Sequence, residues 1–332
     1  MMRSDAERKQ IDRSDMLAVI YSLPDQMEKS LDVDVESEEE SRNVIVAGVG
    51  GSAIAGDMLR VWLEQFGRGL HVVRSPVLPR WVRRDDLLVC ISYSGNTAET
   101  LNCLREGIQK ECRILCITSG GKMREVCQSE KLPVLEVPGG LPPRGALGHL
   151  FSALGGGVAK EDSFSVELKG VVSSLRQLRE KLLPQSEENI AERIAREIVT
   201  LYPLIYADDR FLPIAMRWKT QLNENSKKHA WFGAFPEINH NEVVGWDKED
   251  GTDRFCAVFL RDDGTQMGRT IEEIEKRAKV IEVRAEGDTL LSRMFYALLI
   301  GDFVSYYCAM IRGIDPTPVD AIQSIKDSKR DA

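Results

Sequence analysis

Short apolar runs alternate with helical periods over the first half of the chain. Five runs are rich in aliphatic and β-branched residues: "VIVAGVG" (44–50), "LHVVRS" (70–75), "DLLVCIS" (86–92), "RILCITS" (113–119) and "PVLEVP" (133–138). Stretches with helical spacing, such as "SAIAGDMLRVWLEQF" and "TAETLNCLREGIQK", separate most of these runs. Nearly continuous apolar strands joined by crossover helices are typical of a parallel sheet that is covered on both faces.

The same alternation returns after a charged helical stretch at about 165–183. The later runs are "LYPLIYAD" (201–208), "FCAVFLRD" (255–262) and "KVIEVRAEG" (279–287). We therefore predict an α/β protein with two similar domains, each a parallel sheet flanked by helices. The predicted boundaries are an N-terminal domain with a leading helix at 1–160, a helical linker at 161–186, and a C-terminal domain with a terminal helix at 187–332.

Two helical segments carry further expectations. The longest apolar stretch, 289–311, is interrupted by Arg293 and Asp302. This pattern favours a buried helix over a membrane span. Three successive glycines at 155–157 predict a locally weak helix with a bend or a break.

Composition and charge narrow the function. The 332 residues are 43% apolar, carry a net charge of -8 and contain no Lys/Arg block, which argues against nucleic acid or an anionic membrane as partner and favours a small ligand. The seven cysteines include no C-x-x-C pair, and the charged N-terminus lacks the apolar core of a secretion signal. We therefore expect a reducing, cytoplasmic location.

The chain contains four histidines: His71, His149, His229 and His240. They are scattered, and they form no H-x-x-x-H motif and no Cys/His cluster. We therefore expect no metal site and metal-free chemistry.

The first of two glycine-rich loops, "GVGGSAIAG" (48–56), follows a strand and opens a helix. Its backbone N–H groups and the helix dipole favour an anion there. Gly48, Gly50 and Ala53 also satisfy G-x-G-x-x-A, which is close to the dinucleotide fingerprint. The next strand ends at Arg74 instead of an acid. Since an arginine can face a 2′-phosphate, NADP stays an alternative.

The second loop, "ISYSGNT" (91–97), ends a strand. Asn96 or Thr97 can cap the following helix and Glu99 can complete the cap, so pure capping is the competing interpretation. However, loops after two strands of one parallel sheet converge at its carboxyl edge. Neither loop has a Walker lysine, and no magnesium-binding acid is evident, which indicates a phosphomonoester and not a nucleoside triphosphate. The expected phosphate ligands are Gly51, Ser52, Ser92, Ser94 and Thr97.

These two loops resemble the sugar isomerase (SIS) domain family, which has a flavodoxin-like fold and binds phosphosugars. The motifs "PPRGAL" (142–147), "NENSK" (223–227), "NHNE" (239–242) and "DPTPV" (315–319) are similar to one branch of that family. This branch converts both glucose 6-phosphate and mannose 6-phosphate to fructose 6-phosphate. The resemblance spans both halves of the chain and implies metal-free proton transfer through a cis-enediol, without a cofactor.

Aldose–ketose isomerisation needs a base, a ring-opening acid/base and a cation. A carboxylate suits the proton shuttle, and histidine suits ring opening near neutral pH. The resemblance assigns these roles to Glu224, His240 and Arg144. Taken alone, the same residues have plainer interpretations, namely a solvated acid at a helix end, a surface loop histidine, and a surface arginine at a helix start.

The resemblance implies three further features. Thr317 leaves room at C2–C3 so that both epimers react, and Lys326 assists ring opening, with nearby Lys329 as the alternative. The neighbouring subunit supplies His240, which implies a homodimer with a shared active site. We therefore expect Glu224 and His240 to face one cavity whose floor is the hydroxyl-lined loop, counting copies of the chain.

Two other functions stay open. One is a phosphosugar sensor without turnover, although such a protein does not need Glu224, His240 and Arg144 together. The other is an isomerase of a different sugar phosphate or amino sugar phosphate. No glutaminase-like nucleophile follows Met1, which disfavours coupled ammonia chemistry but does not settle the sugar.

Overall fold

The computed structural model describes residues 4–31, 41–159, 163–246, 251–262 and 264–328, with side chains as far as 325. The chain forms two compact units. The N-terminal unit comprises Tyr21–Gln177 and Gly287–Phe295, and the C-terminal unit comprises Met1–Ile20, Leu178–Glu286 and Tyr296–Ala332. These units interleave along the chain, whereas the predicted domains are continuous segments. The domain boundaries at 160 and 186 therefore stay a prediction.

Within the described residues the elements are as follows. The strands are β1 (Val44–Ala47), β2 (Leu70–Val73), β3 (Leu87–Ile91), β4 (Arg113–Thr118), β5 (Val134–Glu136), β6 (Tyr202–Ala207), β7 (Trp231–Ala234), β8 (Phe255–Arg261) and β9 (Lys279–Arg284). The α-helices are α1 (Asp5–Ile11), α2 (Met16–Tyr21), α3 (Leu23–Lys29), α4 (Gly51–Glu64), α5 (Ala98–Gln109), α6 (Gly121–Glu130), α7 (Leu147–Val158), α8 (Ser163–Lys181), α9 (Ile190–Ile198), α10 (Leu212–Ser226), α11 (Gly268–Glu275), α12 (Leu290–Arg312) and α13 (Asp320–Ser328).

The N-terminal unit contains a five-stranded parallel sheet with the order β2-β1-β3-β4-β5. All five predicted runs form strands. Every residue of β1 is buried, as is every residue of β3 and β4 after the first, which is the burial expected of a sheet covered on both faces. The chain leaves β1 for β2 on one side and returns to β3 on the other. The loops after β1 and β3 therefore open at the switch point of a flavodoxin-like sheet.

The C-terminal unit contains a four-stranded parallel sheet with the order β7-β6-β8-β9. Strands β6, β8 and β9 correspond to predicted runs, so the prediction of two parallel sheets flanked by helices is confirmed. Strand β7 was not predicted. It is a four-residue edge strand in which Trp231 and Phe232 are exposed, so it lacks the continuous buried apolar pattern of its neighbours.

Helix α12 confirms the predicted buried helix. It is long and apolar enough to cross a membrane, but 89% of its most apolar stretch is buried within the protein. Asp302, which interrupts that stretch, accepts hydrogen bonds from Arg217 of α10, at 2.9 Å from Nε to Oδ1 and 2.6 Å from Nη2 to Oδ2. Gln221 Nε2 donates to Oδ1 at 3.0 Å. The buried charge is therefore paired within the C-terminal unit.

The expected bend or break at the glycine run is wrong, because α7 continues through residues 155–157 to Val158. Gly155 lies directly against the ring of Phe164, where an added Cβ would stand 1.8 Å from Cζ. Close packing of the aromatic ring on the helix backbone requires glycine at this position. This packing offsets the low helix propensity of the glycines.

We expect Asp302→Ala to lower the free energy of unfolding of the C-terminal unit by about 3–5 kcal/mol, because it leaves the Arg217 guanidinium buried without a counter-charge. Urea unfolding followed by circular dichroism measures the change. The control is Glu64→Ala, which breaks the exposed Arg60–Glu64 pair and should change stability little. Equal effects of the two substitutions would contradict the prediction.

Candidate active site

The loop after β1 brings the backbone of α4 to the carboxyl edge of the sheet. Gly50, the N-cap residue, has φ +61°, a conformation that favours glycine. Because glycine has no side chain, no capping group covers the N–H groups of the first helical turn. Ser52 is buried in that turn at 8% exposure. The start of α4 can therefore receive an anion through backbone N–H groups and the Ser52 hydroxyl.

The loop after β3 directs its hydroxyls toward each other. Ser92 is 1% exposed, and its Oγ donates to Thr97 Oγ1 at 2.9 Å. Thr97 is the N-cap residue of α5, yet its side chain makes no capping hydrogen bond. Capping therefore explains the position of Thr97 but not the orientation of its hydroxyl. Ser94, two residues after Ser92, is exposed.

Asn96 does not cap α5 but supports the neighbouring helix α6. Its Oδ1 accepts from the N–H of Lys122 in the first turn of α6 at 3.1 Å, and its Nδ2 donates to the carbonyl of Ser94 at 3.0 Å. Gly95 has φ +67°, and an added Cβ there would stand 1.7 Å from the carbonyl oxygen of Gly120. The backbone after β4 therefore fixes the loop after β3. Sequence reasoning missed this support, although "TSGG" at 118–121 follows a strand in the same way.

Arg144 lies beside the start of α4 in the N-terminal unit. It belongs to a 3-10 turn, Pro143–Gly145, and is 6% exposed, so its interpretation as a surface arginine is wrong. An added Cβ at Gly51 would stand 3.5 Å from the Pro143 carbonyl oxygen and 3.7 Å from Arg144 Cα. Gly48 at the end of β1 is equally close to the end of β3, with 3.2 Å from an added Cβ to the Ile91 carbonyl oxygen. These contacts bring both loops and the Arg144 turn together.

Arg74, the residue that kept NADP binding as an alternative, is paired with a carboxylate. Arg74 donates to the carboxylate of Asp57 on α4, and the Asp57 side chain is 15% exposed. The charge of Arg74 is therefore balanced in place. This pairing weakens the argument that Arg74 faces a 2′-phosphate.

In the C-terminal unit, Glu224 lies half-buried in the last turn of α10, as predicted. The amides on either side of it bind the protein itself. Asn223 Nδ2 donates to the carbonyl of Lys228 at 2.7 Å, and Asn225 Nδ2 donates to Ser305 Oγ at 2.9 Å. The helix end is thereby anchored to the following turn and to α12.

Lys227 connects the Glu224 turn to the segment that carries Thr317. Its Nζ donates to the carbonyl of Glu224 at 2.6 Å and to the carbonyl of Pro316 at 3.0 Å. The Thr317 N–H donates to Asp315 Oδ1 at 3.0 Å. The structure therefore brings two of the predicted site segments together within the C-terminal unit.

His240 ends a 3-10 turn, Glu237–His240, and is exposed in the single chain. Within the described parts of the chain, no hydrogen bond or ion pair is made by its imidazole. Its neighbours are fixed: Asn239 Oδ1 accepts from Thr270 Oγ1 at 2.8 Å, and Asn241 Nδ2 donates to Glu237 Oε1 at 2.8 Å. The single chain therefore presents His240 on a supported but exposed segment.

Glu242 supports the same segment from the sheet side. Its Oε1 accepts from Tyr206 Oη of β6 at 2.8 Å, and Trp246 Nε1 donates to that hydroxyl at 3.1 Å. Burial and the nearby Glu242 carboxylate raise the pKa of Tyr206, so the hydroxyl stays protonated and donates. Glu242 thus anchors the segment that carries His240.

The remaining predicted residues are placed less fully. Lys326 belongs to α13, but its side chain and the whole of Lys329 lie outside the described residues, so the choice between them stays open. Over the described ranges, no group of three or more His, Cys, Asp and Glu side chains could hold a metal.

Burial lowers the pKa of His149 to about 4, and its Nδ1 lies 2.8 Å from Ser30 Oγ.

Two family models match the chain. Residues 39–124 match the SIS domain, and residues 187–328 match the bacterial phospho-glucose isomerase C-terminal SIS domain. These matches agree with the two parallel sheets. They also confirm the resemblance seen in the two glycine-rich loops.

Three relatives are similar over most of the chain. The bifunctional phosphoglucose/phosphomannose isomerase of Aquifex aeolicus is 36% identical, covering 86% of this chain and 90% of the relative. The protein of the same name from Caldicellulosiruptor bescii is 35% identical, covering 94% and 98%. The D-glucosamine-6-phosphate 4-epimerase of Sulfolobus acidocaldarius is 30% identical, covering 71% and 74%. The chain belongs to the bifunctional phosphoglucose/phosphomannose isomerase family.

Proposed function

We propose that this protein is an intramolecular oxidoreductase that interconverts glucose 6-phosphate and mannose 6-phosphate with fructose 6-phosphate in cytoplasmic hexose metabolism. One observation carries the proposal, namely the buried Arg144 beside the start of α4, at the edge where the hydroxyl-lined loop also ends. This arrangement pairs a phosphate cradle with a cation suited to an enediolate. The names of the relatives from Aquifex aeolicus and Caldicellulosiruptor bescii support the same substrates.

The phosphate is the first group to be held. Ser52, Ser92, Ser94 and Thr97 donate from their hydroxyls, and the N–H of Gly51 donates from the helix start. A phosphomonoester carries close to two negative charges at neutral pH, so the positive end of α4 favours it without a metal ion. Neutral donors also leave the charge of Arg144 for the reacting end of the sugar.

The chemistry moves one proton between neighbouring carbons. His240, with Lys326, opens the ring, and Glu224 then removes the C2 proton of the aldose. The electron pair forms the C1–C2 double bond of the enediol while the C1 carbonyl oxygen gains negative charge, which Arg144 stabilises. A proton then passes from O2 to O1, Glu224 returns its proton to C1, and the C2 carbonyl forms, which yields the ketose. Thr317 leaves room at C2–C3, so both epimers reach the same enediol.

The proposed assembly is a homodimer in which each site takes His240 from the partner. The exposed ring of His240, on a segment that its neighbours hold in place, supports this assignment. The proposed ligand is a hexose 6-phosphate, with no cofactor, no nucleic acid and no membrane partner.

A second candidate keeps the phosphosugar but changes the reaction. The 30% identical relative is named as an epimerase of an amino sugar phosphate, so the same cradle can serve another sugar. A sensor without turnover is the third candidate.

The decisive assay supplies fructose 6-phosphate to the purified protein in EDTA and measures both aldose products. We expect glucose 6-phosphate and mannose 6-phosphate to form, because the proposed chemistry needs no metal. Glucose product without mannose product would reduce the claim to one activity. Absence of both products would contradict the proposal and favour a sensor or an enzyme that acts on an amino sugar phosphate.

We expect Glu224→Gln to lower kcat by roughly 10²–10⁴-fold, because glutamine cannot accept the C2 proton. The inhibition constant of inorganic phosphate should stay nearly unchanged, since the amide keeps the shape of the site. The control, Glu272→Gln on the exposed face of α11, removes a carboxylate from the same unit and should retain full turnover. Full turnover by Glu224→Gln would refute the assignment.

A hybrid dimer tests the shared site. We expect Glu224→Gln and His240→Asn homodimers to be nearly inactive, while a heterodimer purified through two affinity tags recovers about half of the wild-type turnover, because one of its two sites is intact. If both residues came from the same chain, neither site of the hybrid would be complete. Failure of the hybrid to recover activity would therefore argue against the partner's contribution of His240.

A further inference from the structure

Tyr93 occupies the centre of the loop after β3, between Ser92 and Ser94, but its side chain leaves the loop. The residue is 4% exposed, and its ring reaches the segment that leads from β5 to Arg144. The hydroxyl donates to the carbonyl of Pro138 at 2.8 Å and accepts from the N–H of Leu141 at 3.0 Å. One hydroxyl therefore holds two points of that segment.

These two points bracket Gly139 and Gly140. Gly140 has φ +93°, a conformation that only glycine adopts readily, and both glycines are exposed. A glycine pair is the most flexible element of such a segment, because it has no side chain to restrict its backbone. The Tyr93 hydroxyl thus holds the segment on both sides of its most flexible residues.

From Leu141 onward the chain is stiff as far as Arg144. Pro142 and Pro143 fix two successive φ angles, and the Gly145 N–H donates to the Pro142 carbonyl at 2.7 Å. An anchor at Leu141 therefore limits where the Arg144 guanidinium can lie. Gln26 holds the far end of the turn, since its Nε2 donates to the Gly145 carbonyl at 2.9 Å.

The backbone of Tyr93 is fixed as firmly as its hydroxyl. Its carbonyl accepts from the N–H of Ser119 at 3.0 Å and from Ser119 Oγ at 2.7 Å. The rigid Tyr93 side chain therefore keeps a fixed distance between two segments. Its backbone lies in the loop at 91–97, and its hydroxyl holds the Arg144 segment.

We infer that Tyr93 is a positioning residue that holds Arg144 at a fixed distance from the loop at 91–97, the proposed phosphate loop. The inference rests on the proposed function, in which the loop binds the phosphate and Arg144 stabilises the enediolate. Tyr93 itself touches neither group of the substrate in this scheme. Its hydroxyl sets the distance between them.

Steady-state kinetics on Tyr93→Phe tests the inference. We expect kcat to fall about tenfold or more, because small misplacement of a charge-stabilising group is costly. KM and inhibition by inorganic phosphate should stay within about twofold, because the loop hydroxyls are unchanged. In an Arg144→Gln background, Tyr93→Phe should add no further loss, because both substitutions act through one group.

The matched control is Tyr307→Phe. Tyr307 is also buried, and its hydroxyl likewise donates to a carbonyl, that of Leu182, and accepts from Asn189 Nδ2 at 2.9 Å. We expect it to lower the melting temperature as much as Tyr93→Phe does and to leave kcat intact. A second variant, Gln26→Met, removes the other support of the Arg144 turn and should also lower kcat more than it changes phosphate inhibition.

Hydrogen exchange provides a readout that needs no turnover. We expect the Leu141 amide to lose protection in Tyr93→Phe while residues 98–109 of α5 keep theirs. The inference would be overturned by unchanged exchange at Leu141 or by a kcat equal to that of Tyr307→Phe. It would also be overturned if the losses of Tyr93→Phe and Arg144→Gln were additive, or if inhibition by phosphate weakened as much as kcat fell. If the wild-type protein turns over neither aldose, the proposed function fails, while the exchange result still decides whether Tyr93 holds the segment.

Discussion

Direct backbone contact between the loops after β3 and β4 is the constraint on which the hydroxyl-lined loop at 91–97 depends. At Gly95 and Gly121 the two backbones approach so closely that an added Cβ would stand 1.7 Å and 2.3 Å from the facing carbonyl oxygens. The loop after β3 is therefore shaped by its neighbour and not only by its own turn residues. In the loop shaped by this contact, the hydroxyls of Ser92 and Thr97 lie 2.9 Å apart.

The two sheets share a parallel topology but differ at their carboxyl edges. In the C-terminal unit, Arg210 lies 3.3 Å from Asp208 and 3.2 Å from Asp262, and Thr265 Oγ1 donates to Asp208 at 2.9 Å. Carboxylates occupy the place that hydroxyls and a bare helix start hold in the N-terminal unit. This edge is therefore occupied by an ion-pair cluster and not by open hydroxyl and N–H donors. The two sheets of the duplicated architecture therefore end in different chemistry, and among the described residues only the N-terminal edge has the donors expected of a phosphate site.

Much of the fold followed from local pattern, and much of the site did not. Continuous apolar runs predicted eight of the nine strands of the described residues, and the two glycine-rich loops follow β1 and β3 as expected, while their binding of phosphate stays a prediction. Strand β7 was missed because Trp231 and Phe232 face outward on a sheet edge, where burial imposes no pattern. The burial of Arg144 and the contact of Tyr93 with Leu141 depend on segments about 50 positions apart in sequence meeting across the sheet. No local spacing predicts such contacts, and an arginine or a tyrosine in a sequence does not by itself indicate burial or a distant partner.

The asparagines that flank Glu224 and His240 hold these two segments through neutral amides, in addition to the charged anchors Lys227 and Glu242. Asn225 and Asn241 bind a serine hydroxyl and a carboxylate of the same unit, and Asn223 and Asn239 bind a carbonyl and a threonine hydroxyl. A lysine or aspartate at these positions would anchor the backbone equally well, but it would place a full charge beside the Glu224 carboxylate or the His240 imidazole. An amide satisfies hydrogen bonds while remaining neutral. The amides next to Glu224 and His240 therefore fix the backbone without placing a further full charge directly beside the proposed base and the proposed ring-opening group.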